Sequence, residues 1–600
     1  MQVIILAAGM GKRLGKLTEH NTKCMVKVQG VTLIERLLGQ LNKVELKKII
    51  IVTGYCAENL SSFIGDNYLG MQIEYVNNPI YDKTNNIYSL ALSKDYLIAD
   101  DTLLFESDLI FEDSIITDIL SCKAKNAVTV AKFESWMDGT VVTLDEDNTI
   151  LSFVPKSGFE FDHIDTYFKT VNIYKLSKEF SANFYVPFLE AYTKAMGNNE
   201  YYEEVLRVIT FLDRAKLTAI KLDNQKWYEI DDIQDLDIAE TIFSKPEEKL
   251  SHFHKRYGGY WRFPELIDFC YLVNPYFPPK KLIDEMTSNF QILMETYPSG
   301  MDVNKLLAAK FFGVSASEII AGNGASELIS VLLDSITGKT AIILPTFEEY
   351  TSRIPKENLI MGLPNNDNFT YSIEDLEKVS QEADQVIIVN PNNPTGQLIP
   401  IADILKLAKK LELLNKRVIV DESFIDFSSA HDIYSLINSK ILETHPNLIV
   451  LKSISKSYGV PGFRLGVLAS SDNELLKKIR TKLPVWNINS FGEFFMQVFN
   501  KYEGNYRSSC KLFIAERERF FKELQNIGFL RVMPSDANYF LCEVKQPYHS
   551  KSLTNQLLVN HNVLIKDCSN KRGFNGKSYV RIAVRNKNEN DRLINFLSQL

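Results

Sequence analysis

The chain has 600 residues, of which 45% are hydrophobic and 24% are charged, and its formal net charge is −8. One hydrophobic core rarely supports such a length, so we expect at least two domains. The acidic balance argues against a general nucleic-acid-binding protein but leaves small anionic substrates open, because local basic clusters still bind them.

Cysteine usage and the N-terminus bear on the compartment. Seven cysteines are scattered along the chain without a CxxC pair, as is typical of reduced thiols in the cytoplasm. The apolar run after Met1 is short and leads into a strand–loop motif, so we expect no signal peptide. Nor does the sequence contain the roughly 18 uninterrupted apolar residues of a membrane span. We therefore expect a cytoplasmic protein without stable membrane insertion.

Short apolar runs alternate with segments of helical period along the chain. They are "VIILAAG", "KKIIIVTGY", "TLLFESDLIF" and "AVTVAKF", and later "TAIILPTF", "DQVIIVNP", "KRVIVDES" and "NLIVLKS". This alternation predicts an α/β fold with parallel sheets covered on both faces, and functional groups after the carboxyl ends of the strands. Around 243–259 the strand pattern stops, and charged, Pro and Gly residues concentrate. We expect domains at 1–243 and 259–600, with a linker at 244–258.

The first strand leads into a glycine-rich loop that carries two cations. Its Gly9, Gly11 and Gly15 read G-x-G-x-x-x-G, which does not match the dinucleotide fingerprint. Lys12 is followed by Arg13 rather than by Ser or Thr, so the loop is not a P-loop either. Small residues still let a nucleotide approach the backbone, where amide N–H groups and the two cations face polyphosphate. The loop indicates a third kind of phosphate site.

This loop and the motifs after it resemble the signature of nucleoside-diphosphate-sugar pyrophosphorylases and their phosphocholine cytidylyltransferase relatives. The resemblance covers the whole first domain and implies a Rossmann-like, GT-A-like nucleotidyltransferase. In it, "NNPIYDKTNNIYSLALS" would recognise the base, and "NNIYS" is closer to the choline-phosphate branch, which favours CTP as donor. The nucleotide-binding residues that the resemblance implies are Leu6, Ala7, Ala8, Gly9, Gly11, Lys12, Arg13, Lys23 and Asn86.

Two carboxylates stand where the family keeps its metal ligands. Asp108 ends a strand in "FESDLIF", and Asp231 lies in "WYEIDDIQDL". Such a pair can hold Mg²⁺ against the triphosphate, while cations stabilise charge on the leaving pyrophosphate. No general base is needed, because an anionic phosphate or phosphonate oxygen is already a nucleophile. The catalytic cations implied are Lys12, Arg13 and Lys23.

Lys156 in "SFVPKSG" resembles the family's lysine for the acceptor phosphate, although a proline precedes it where an acid is usual. Each of these signals alone has a simpler reading, since lysine-bearing glycine turns are often plain loops and lone aspartates often cap helices. Their order along the chain and their position at strand ends favour a catalytic role.

The second domain carries "SISKSYGVPGFRLG", which matches the S-x-S-K-x₇-R arrangement of fold-type I aminotransferases. The resemblance implies that Lys456 binds pyridoxal 5'-phosphate covalently and, with Asp421 of "VDESF", forms the catalytic pair. Motifs upstream follow in the family's order: "GNGASE" for the cofactor phosphate at a helix N-terminus, "PTFEEY" for ring stacking, and "NPNNPTG" for the ring oxygen. The cofactor-binding residues implied are Gly324, Ala325, Ser326, Phe347, Asn393, Asp421, Ser453, Ser455, Lys456 and Arg464.

Further motifs narrow the subfamily. "LVNPYFPP", "PSDANYFL", "LIKDCSN" and "YVRIAVR" resemble histidinol-phosphate aminotransferase and, more closely, threonine-phosphate decarboxylase. They imply substrate contacts from Asn274 and Arg581, the latter matching an arginine that grips a carboxylate. Phe424 stands where aminotransferases often have a Tyr, which weakens a simple histidinol-phosphate assignment. Tyr297 in "YPSG" matches a residue that reaches the cofactor phosphate of the neighbouring subunit, so we expect a homodimer through this domain.

Together the halves resemble bifunctional phosphonate cytidylyltransferase–transaminases. The resemblance implies that phosphonoacetaldehyde is aminated to 2-aminoethylphosphonate, with alanine as the expected amino donor, and then coupled to CTP, giving CMP-2-aminoethylphosphonate and pyrophosphate. An alternative stays open: a cytidylyltransferase fused to a histidinol-phosphate aminotransferase-like or threonine-phosphate decarboxylase-like enzyme. A mere scaffold or sensor role for one half is disfavoured, because Lys456 and the pair Asp108 and Asp231 are intact.

Overall fold

The computed structural model describes residues 1–212, 215–429 and 435–600. It divides into two compact units, Met1–Arg262 and Phe263–Leu600. The segment 244–258, which we expect to link the domains, is mostly the helix Pro246–Arg256. This helix starts with a proline in its first turn, followed by two glutamates, and ends with basic residues, which is a favourable arrangement for a helix. The exact limits of the domains stay a prediction.

The first unit is built on a ten-stranded mixed sheet. Eight strands follow one another across the sheet in the order Ile150–Val154, Val141–Leu144, Phe168–Leu176, Thr102–Glu106, Gln2–Ala7, Ile49–Thr53, Met71–Asn77 and Asn67–Tyr68. Two more strands, Ala127–Lys132 and Thr218–Leu222, pair with each other, and the former also pairs with Phe168–Leu176. Small two-stranded pairings join Leu109–Phe111 to Trp227–Glu229 and Lys27–Val28 to Val31–Thr32.

The direction of the strand Phe168–Leu176 differs from the parallel sheet that the sequence predicts. It runs antiparallel to Thr102–Glu106 and to Ala127–Lys132. The strand is buried along most of its length although Lys, Thr and Asn interrupt its apolar residues, and burial on both faces does not reveal the direction of a strand. Parallel pairing holds at the centre, where Gln2–Ala7 lies between Ile49–Thr53 and Thr102–Glu106.

Helices cover both faces of this sheet. Val3 and Ile5 belong to one hydrophobic cluster and Ile4 and Leu6 to another, as the alternation of a strand requires. The α-helices of the unit are Leu33–Leu41, Ala57–Ile64, Asn86–Leu92, Lys94–Leu97, Asp113–Ser121, Lys178–Phe180, Val186–Met196, Glu203–Phe211, Ile233–Ile242 and Pro246–Arg256.

The second unit contains a seven-stranded sheet whose alternate residues also feed two clusters, as Val386 and Ile387 show. Its strand order is Ile319–Asn323, Leu465–Ala469, Leu448–Ser453, Arg417–Asp421, Gln385–Val389, Thr340–Ile343 and Leu359–Gly362. Leu465–Ala469 is antiparallel to both of its neighbours. A four-stranded antiparallel sheet has the order Leu530–Val532, Tyr539–Val544, Tyr579–Ala583 and Lys566–Asp567. A short parallel pair joins Ile267–Asp268 to Val563–Leu564.

Helices of the second unit flank both larger sheets and include one of 23 residues. They are Lys280–Ser288, Phe290–Glu295, Met301–Phe312, Gly324–Leu333, Glu348–Arg353, Ile373–Val379, Ile401–Glu412, Ser439–Thr444, Asn473–Arg480, Ser490–Val498, Glu503–Gln525, Ser550–His561 and Lys587–Ser598. None of the helices among the described residues combines the length and the apolar character needed to cross a bilayer. All seven cysteines are free thiols.

Candidate active sites

A cavity of about 380 Å³ opens where the strands Gln2–Ala7 and Thr102–Glu106 end. Ten residues that the sequence predicts for this site line it together: Leu6, Ala8, Gly9, Gly11, Lys12, Arg13, Lys23, Asn86, Asp108 and Asp231. Gly11 has a φ of +60°, and a Cβ there would lie 3.2 Å from the Cβ of Lys23. The glycine therefore lets the loop turn close against the lysine.

Lys23 lies between the two predicted metal carboxylates. Its Nζ donates to Asp108 Oδ2 and to Asp231 Oδ1, each at 2.6 Å, and Arg13 contacts the other oxygen of Asp231 at 3.0 Å. Burial alone would lower the pKa of Lys23, but the two carboxylates raise it above its ordinary value. Lys23 is thus a permanent cation in this position.

A third carboxylate that sequence reasoning missed completes a possible metal site. Oxygens of Asp108, Glu229 and Asp231 lie within 4.8 Å of one another, and Asp108 Oδ1 is buried without a hydrogen-bond partner. Hard oxygen donors of this kind fit Mg²⁺, which would neutralise polyphosphate and compete with Lys23 for the same oxygens. Glu229 was detectable, because it precedes Asp231 by two residues and a strand places alternate residues on one side.

Two predicted residues of the first site, Ala7 and Lys156, do not line the cavity, and a third, Asn86, lines it with its amide already engaged. Ala7 is buried in its strand and is not among the lining residues. Lys156 is an exposed side chain that pairs with Asp138 at 2.9 Å, and Asp138, not Lys156, lines the cavity. Asn86 lines the cavity, but its amide is already engaged: Nδ2 donates to Glu106 at 3.0 Å, and Oδ1 accepts from the backbone of Tyr202 at 3.0 Å. Its predicted contact with the base stays a prediction.

The second candidate site lies after the carboxyl ends of the strands Leu448–Ser453 and Arg417–Asp421. Lys456 follows the first of these strands, with its Nζ 5.2 Å from the ring centre of Phe424. Burial first, and then the cations Arg581 and Arg464, lower the pKa of Lys456 to about 8, although Asp421 opposes them. A substantial fraction of this lysine is therefore neutral and nucleophilic near pH 8.

Around the start of the helix Gly324–Leu333 the chain forms a cradle for an anion. Gly324 has a φ of +76°, and a Cβ there would lie 2.7 Å from Arg464 Nη2. The Oγ of Ser455 is buried without a hydrogen-bond partner. Free amide groups at a helix start, a guanidinium and an unpaired hydroxyl together fit a phosphate group. The predicted phosphate ligands Ala325 and Ser326 are the second and third residues of this helix.

The buried carboxylate of Asp421 is held in place by two donors. The hydroxyl of Tyr350 donates to Oδ2 at 2.9 Å, and the backbone N–H of Ser423 donates to Oδ1 at 3.0 Å. Burial raises the pKa of Asp421, and these hydrogen bonds oppose the rise. A positively charged ring nitrogen would be a suitable counter-ion. Tyr350 is the last residue of the motif "PTFEEY", of which the sequence analysis selected only Phe347. Phe347 is half-buried, and its ring lies beside that of Tyr350.

Arg581, the predicted carboxylate-binding residue, is held by two protein acceptors. Its Nη1 donates to Asn393 Oδ1 at 2.9 Å and its Nη2 to the carbonyl of Cys270 at 2.8 Å, while Nε is buried without a partner. The guanidinium is thus oriented, and Nε remains available. The predicted cofactor ligand Asn393 lies directly beside it.

Two further predicted residues, Asn274 and Tyr297, do not belong to this group of side chains around Lys456. The side chain of Asn274 donates to the carbonyl of Ser457 at 2.9 Å, and its backbone N–H donates to the carbonyl of Lys456 at 2.9 Å, so it supports the lysine loop. Tyr297 is 77% exposed and stacks on Trp486 with ring centres 4.5 Å apart. Their predicted roles in substrate binding and in the partner subunit's site stay predictions.

The residues of the second site fit pyridoxal phosphate: a phosphate cradle, a buried carboxylate and a lysine of lowered pKa lie on neighbouring loops. When bound, this cofactor supplies an electron-withdrawing ring conjugated to the substrate nitrogen. Asp421 would hold the ring nitrogen positive, Ser453, Ser455 and Arg464 would hold the phosphate, and Lys456 would move a proton at the substrate carbon.

Comparisons with known proteins match each half of the chain to a family. Residues 265–597 match the aminotransferase class I and II family, and residues 3–144 match the MobA-like NTP transferase domain. The chain is 30% identical over 606 residues to CMP-5'-(3-aminopropyl)phosphonate synthase of Streptomyces rubellomurinus, covering 100% of this chain and 95% of that protein.

Other relatives match the second unit. L-serine phosphate decarboxylase Cj1436c of Campylobacter jejuni is 31% identical over 350 residues, covering 55% of this chain and 88% of that protein. The solved structure of a decarboxylase from Sulfurospirillum multivorans has a TM-score of 0.53 at 27% identity, covering 59% of this chain and 97% of that chain. These matches confirm the predicted α/β fold class, with a nucleotidyltransferase domain before a fold-type I domain. The chain belongs to the class I and II aminotransferase family and is an enzyme in which an NTP transferase domain precedes the aminotransferase-like domain.

Proposed function

We propose that the protein makes an aminoalkyl phosphonate or phosphate at the second site and couples it to CTP at the first. The observation that carries this proposal is the presence of both charged sites in one chain, the Asp108–Lys23–Asp231 cluster and the Lys456–Asp421 pair. The full-length relative, whose name joins CMP to an aminoalkyl phosphonate, supports it.

At the first site the acceptor's anionic oxygen attacks the α-phosphorus of CTP. A bond forms between that oxygen and phosphorus, and the bond from phosphorus to the pyrophosphate oxygen breaks. Lys12, Arg13 and Lys23 line the cavity and stabilise the charge that develops on the leaving pyrophosphate. Mg²⁺ held by Asp108 and Asp231 would add to that stabilisation.

The amine has two candidate origins at the second site. The first is transamination of phosphonoacetaldehyde by alanine, giving 2-aminoethylphosphonate and pyruvate. In this reaction Arg581 binds the carboxylate of alanine. Lys456 takes the proton from the alanine Cα and, in the second half of the reaction, delivers a proton to the carbon that bears the new amine. A homodimer through the second unit, with Tyr297 reaching the partner's site, belongs to the same proposal; the exposure of Tyr297 and Trp486 is consistent with it.

The second candidate is decarboxylation of an α-amino acid that bears a phosphate or phosphonate, such as O-phosphoserine. Two observations favour it: Phe424 beside Lys456 offers no hydroxyl to a ring oxygen, and relatives of this unit are named serine phosphate decarboxylases. Here the bond from Cα to the carboxyl carbon breaks, CO₂ leaves, and Lys456 delivers a proton to Cα. Phosphoethanolamine would then be the acceptor for CMP.

The two origins differ in what they release. The full chain with pyridoxal phosphate, Mg²⁺ and CTP is incubated either with alanine and phosphonoacetaldehyde or with carboxyl-labelled O-phosphoserine. Pyruvate and CMP-2-aminoethylphosphonate support transamination, whereas labelled CO₂ and CMP-linked ethanolamine phosphate support decarboxylation. A protein that releases pyrophosphate from CTP with no aminoalkyl acceptor, supplied or generated, contradicts the proposal.

A further inference from the structure

The inner part of the first cavity holds more carboxylates than cations. This part is lined by three glutamates, Glu106, Glu203 and Glu229. Among the described lining residues, Lys169 is the cation beside them. Lys169 is 1% exposed, with its Nζ 3.2 Å from Glu229. Lys23, the next cation, is already engaged by Asp108 and Asp231. On this side three carboxylates therefore stand against Lys169, whose Nζ is itself engaged by Glu229 and by the carbonyl of Thr170 at 2.7 Å.

Glu203 has an unsatisfied oxygen in this cluster. The residue is 5% exposed, and its Oε1 accepts a hydrogen bond from Tyr174 at 3.3 Å, while Oε2 is buried without a partner. A buried carboxylate oxygen without a donor is costly, and burial raises the pKa of Glu203 to about 7. A ligand that brings a positive hydrogen-bond donor would remove this cost.

Asn86 connects Glu106 to the same place. It donates to Glu106 and accepts from the backbone N–H of Tyr202, the residue before Glu203. This amide therefore fixes Glu106 relative to the start of the helix Glu203–Phe211. Both carboxylates face the cavity in which we place the CTP-dependent transfer.

We propose that Glu203, with Glu106, binds the primary ammonium group of the acceptor. The inference rests on the proposed function and names the class of acceptor: an anionic oxygen at one end and a primary amine at the other. The cation cluster at Lys23 can bind the anionic end of such a zwitterion, and the carboxylate cluster at Glu203 can bind its ammonium end. The two clusters together therefore orient the acceptor.

The residue types favour a primary amine over a trimethylated one. A primary ammonium has three N–H donors, which match unpaired carboxylate oxygens. A quaternary ammonium has no donor and is bound by several aromatic faces. Among the described lining residues the aromatic side chains are Tyr81 and Tyr201, whereas three glutamates are present. We therefore expect discrimination against phosphocholine.

The test uses the full chain with CTP, Mg²⁺ and three acceptors: 2-aminoethylphosphonate, ethylphosphonate and phosphocholine. For Glu203→Gln we expect kcat/KM with 2-aminoethylphosphonate to fall about 10- to 100-fold, the loss of a hydrogen bond to a charged group. With ethylphosphonate kcat/KM should not change, and the KM of CTP should not change either. Glu203→Asp, which keeps the charge, should retain part of the preference.

Glu204→Gln is the matched control, because Glu204 pairs with Arg207 and is not among the residues that line the cavity. It should behave as the unmodified protein with all acceptors. Equal loss with 2-aminoethylphosphonate and ethylphosphonate, no loss with either, or a raised KM of CTP in Glu203→Gln would overturn the amine site alone. If the unmodified protein forms no CMP product from any of these acceptors, the proposed function fails and the amine site with it.

Discussion

Single residues decide the charge balance of each site. Asp108 and Asp231 hold Lys23 between them, and the same two carboxylates are the candidate ligands of Mg²⁺. Asp421 is held by Tyr350, and Lys456 stands among cations that lower its pKa. Changes at these residues should affect one site only, because residues without shared partners act independently.

Asp108→Ala should abolish the release of pyrophosphate from CTP, because it removes one candidate metal ligand and leaves Lys23 with a single carboxylate partner. We expect a loss of at least about 100-fold in kcat, the scale on which preorganised electrostatic contacts act. A coupled assay for pyrophosphate measures it. Asp95→Ala, at an exposed aspartate, is the control. Pyrophosphate release at the normal rate in Asp108→Ala would show that this carboxylate has no catalytic role.

The lowered pKa of Lys456 predicts how cofactor capture depends on pH. Only the neutral amine reacts with an aldehyde, and the pKa of about 8 lies below the ordinary value of 10.5. The rate at which cofactor-free protein binds pyridoxal phosphate should therefore rise with pH and level off above a midpoint near 8. Stopped-flow absorbance measures this rate. A rate still rising steeply above pH 10 would mean that the lysine has its ordinary pKa.

At the scale of elements, the sequence located the strand ends but not all strand directions. Asp421 in "KRVIVDES" is the last residue of a buried strand, and Asp108 in "TLLFESDLIF" lies two residues after one, in the turn before Leu109–Phe111. The direction of Phe168–Leu176 was not readable, because a strand buried on both faces has one pattern in either direction. Glu203 was missed for another reason: its significance depends on Tyr174, which only folding brings near.

Gly324 tests the helix start as a phosphate site. Alanine there must adopt a φ of +76° and place its Cβ 2.7 Å from Arg464. The left-handed conformation costs roughly 1–2 kcal/mol of folding free energy, and the Cβ would displace Arg464, a predicted phosphate ligand, so we expect about a tenfold or larger loss in affinity for pyridoxal phosphate. Fluorescence titration measures the affinity. Gly300→Ala is the matched control, since a Cβ there has no heavy atom within 4 Å. Equal affinities in the two variants would contradict the phosphate cradle.

At the scale of the whole molecule, the chain is two compact units with one site each. The sequence motifs predicted one site in each domain, since each set of motifs is complete within its own half. What it could not predict is the identity of the substrates, because the charged groups that we propose for Arg581 and Glu203 to bind are shared by several aminoalkyl phosphonates and phosphates. For the whole molecule we propose that the second site makes the amine that the first site activates.

³¹P NMR of the full chain with CTP, Mg²⁺, pyridoxal phosphate and each candidate precursor can follow both steps in one sample. We expect a CMP-linked aminoalkyl product with the unmodified protein. Lys456→Ala should give none from the precursor but form it normally from added 2-aminoethylphosphonate or phosphoethanolamine. If Lys456→Ala forms a CMP-linked product directly from the precursor, or if the unmodified protein forms none from either amine, the two sites do not act in this sequence.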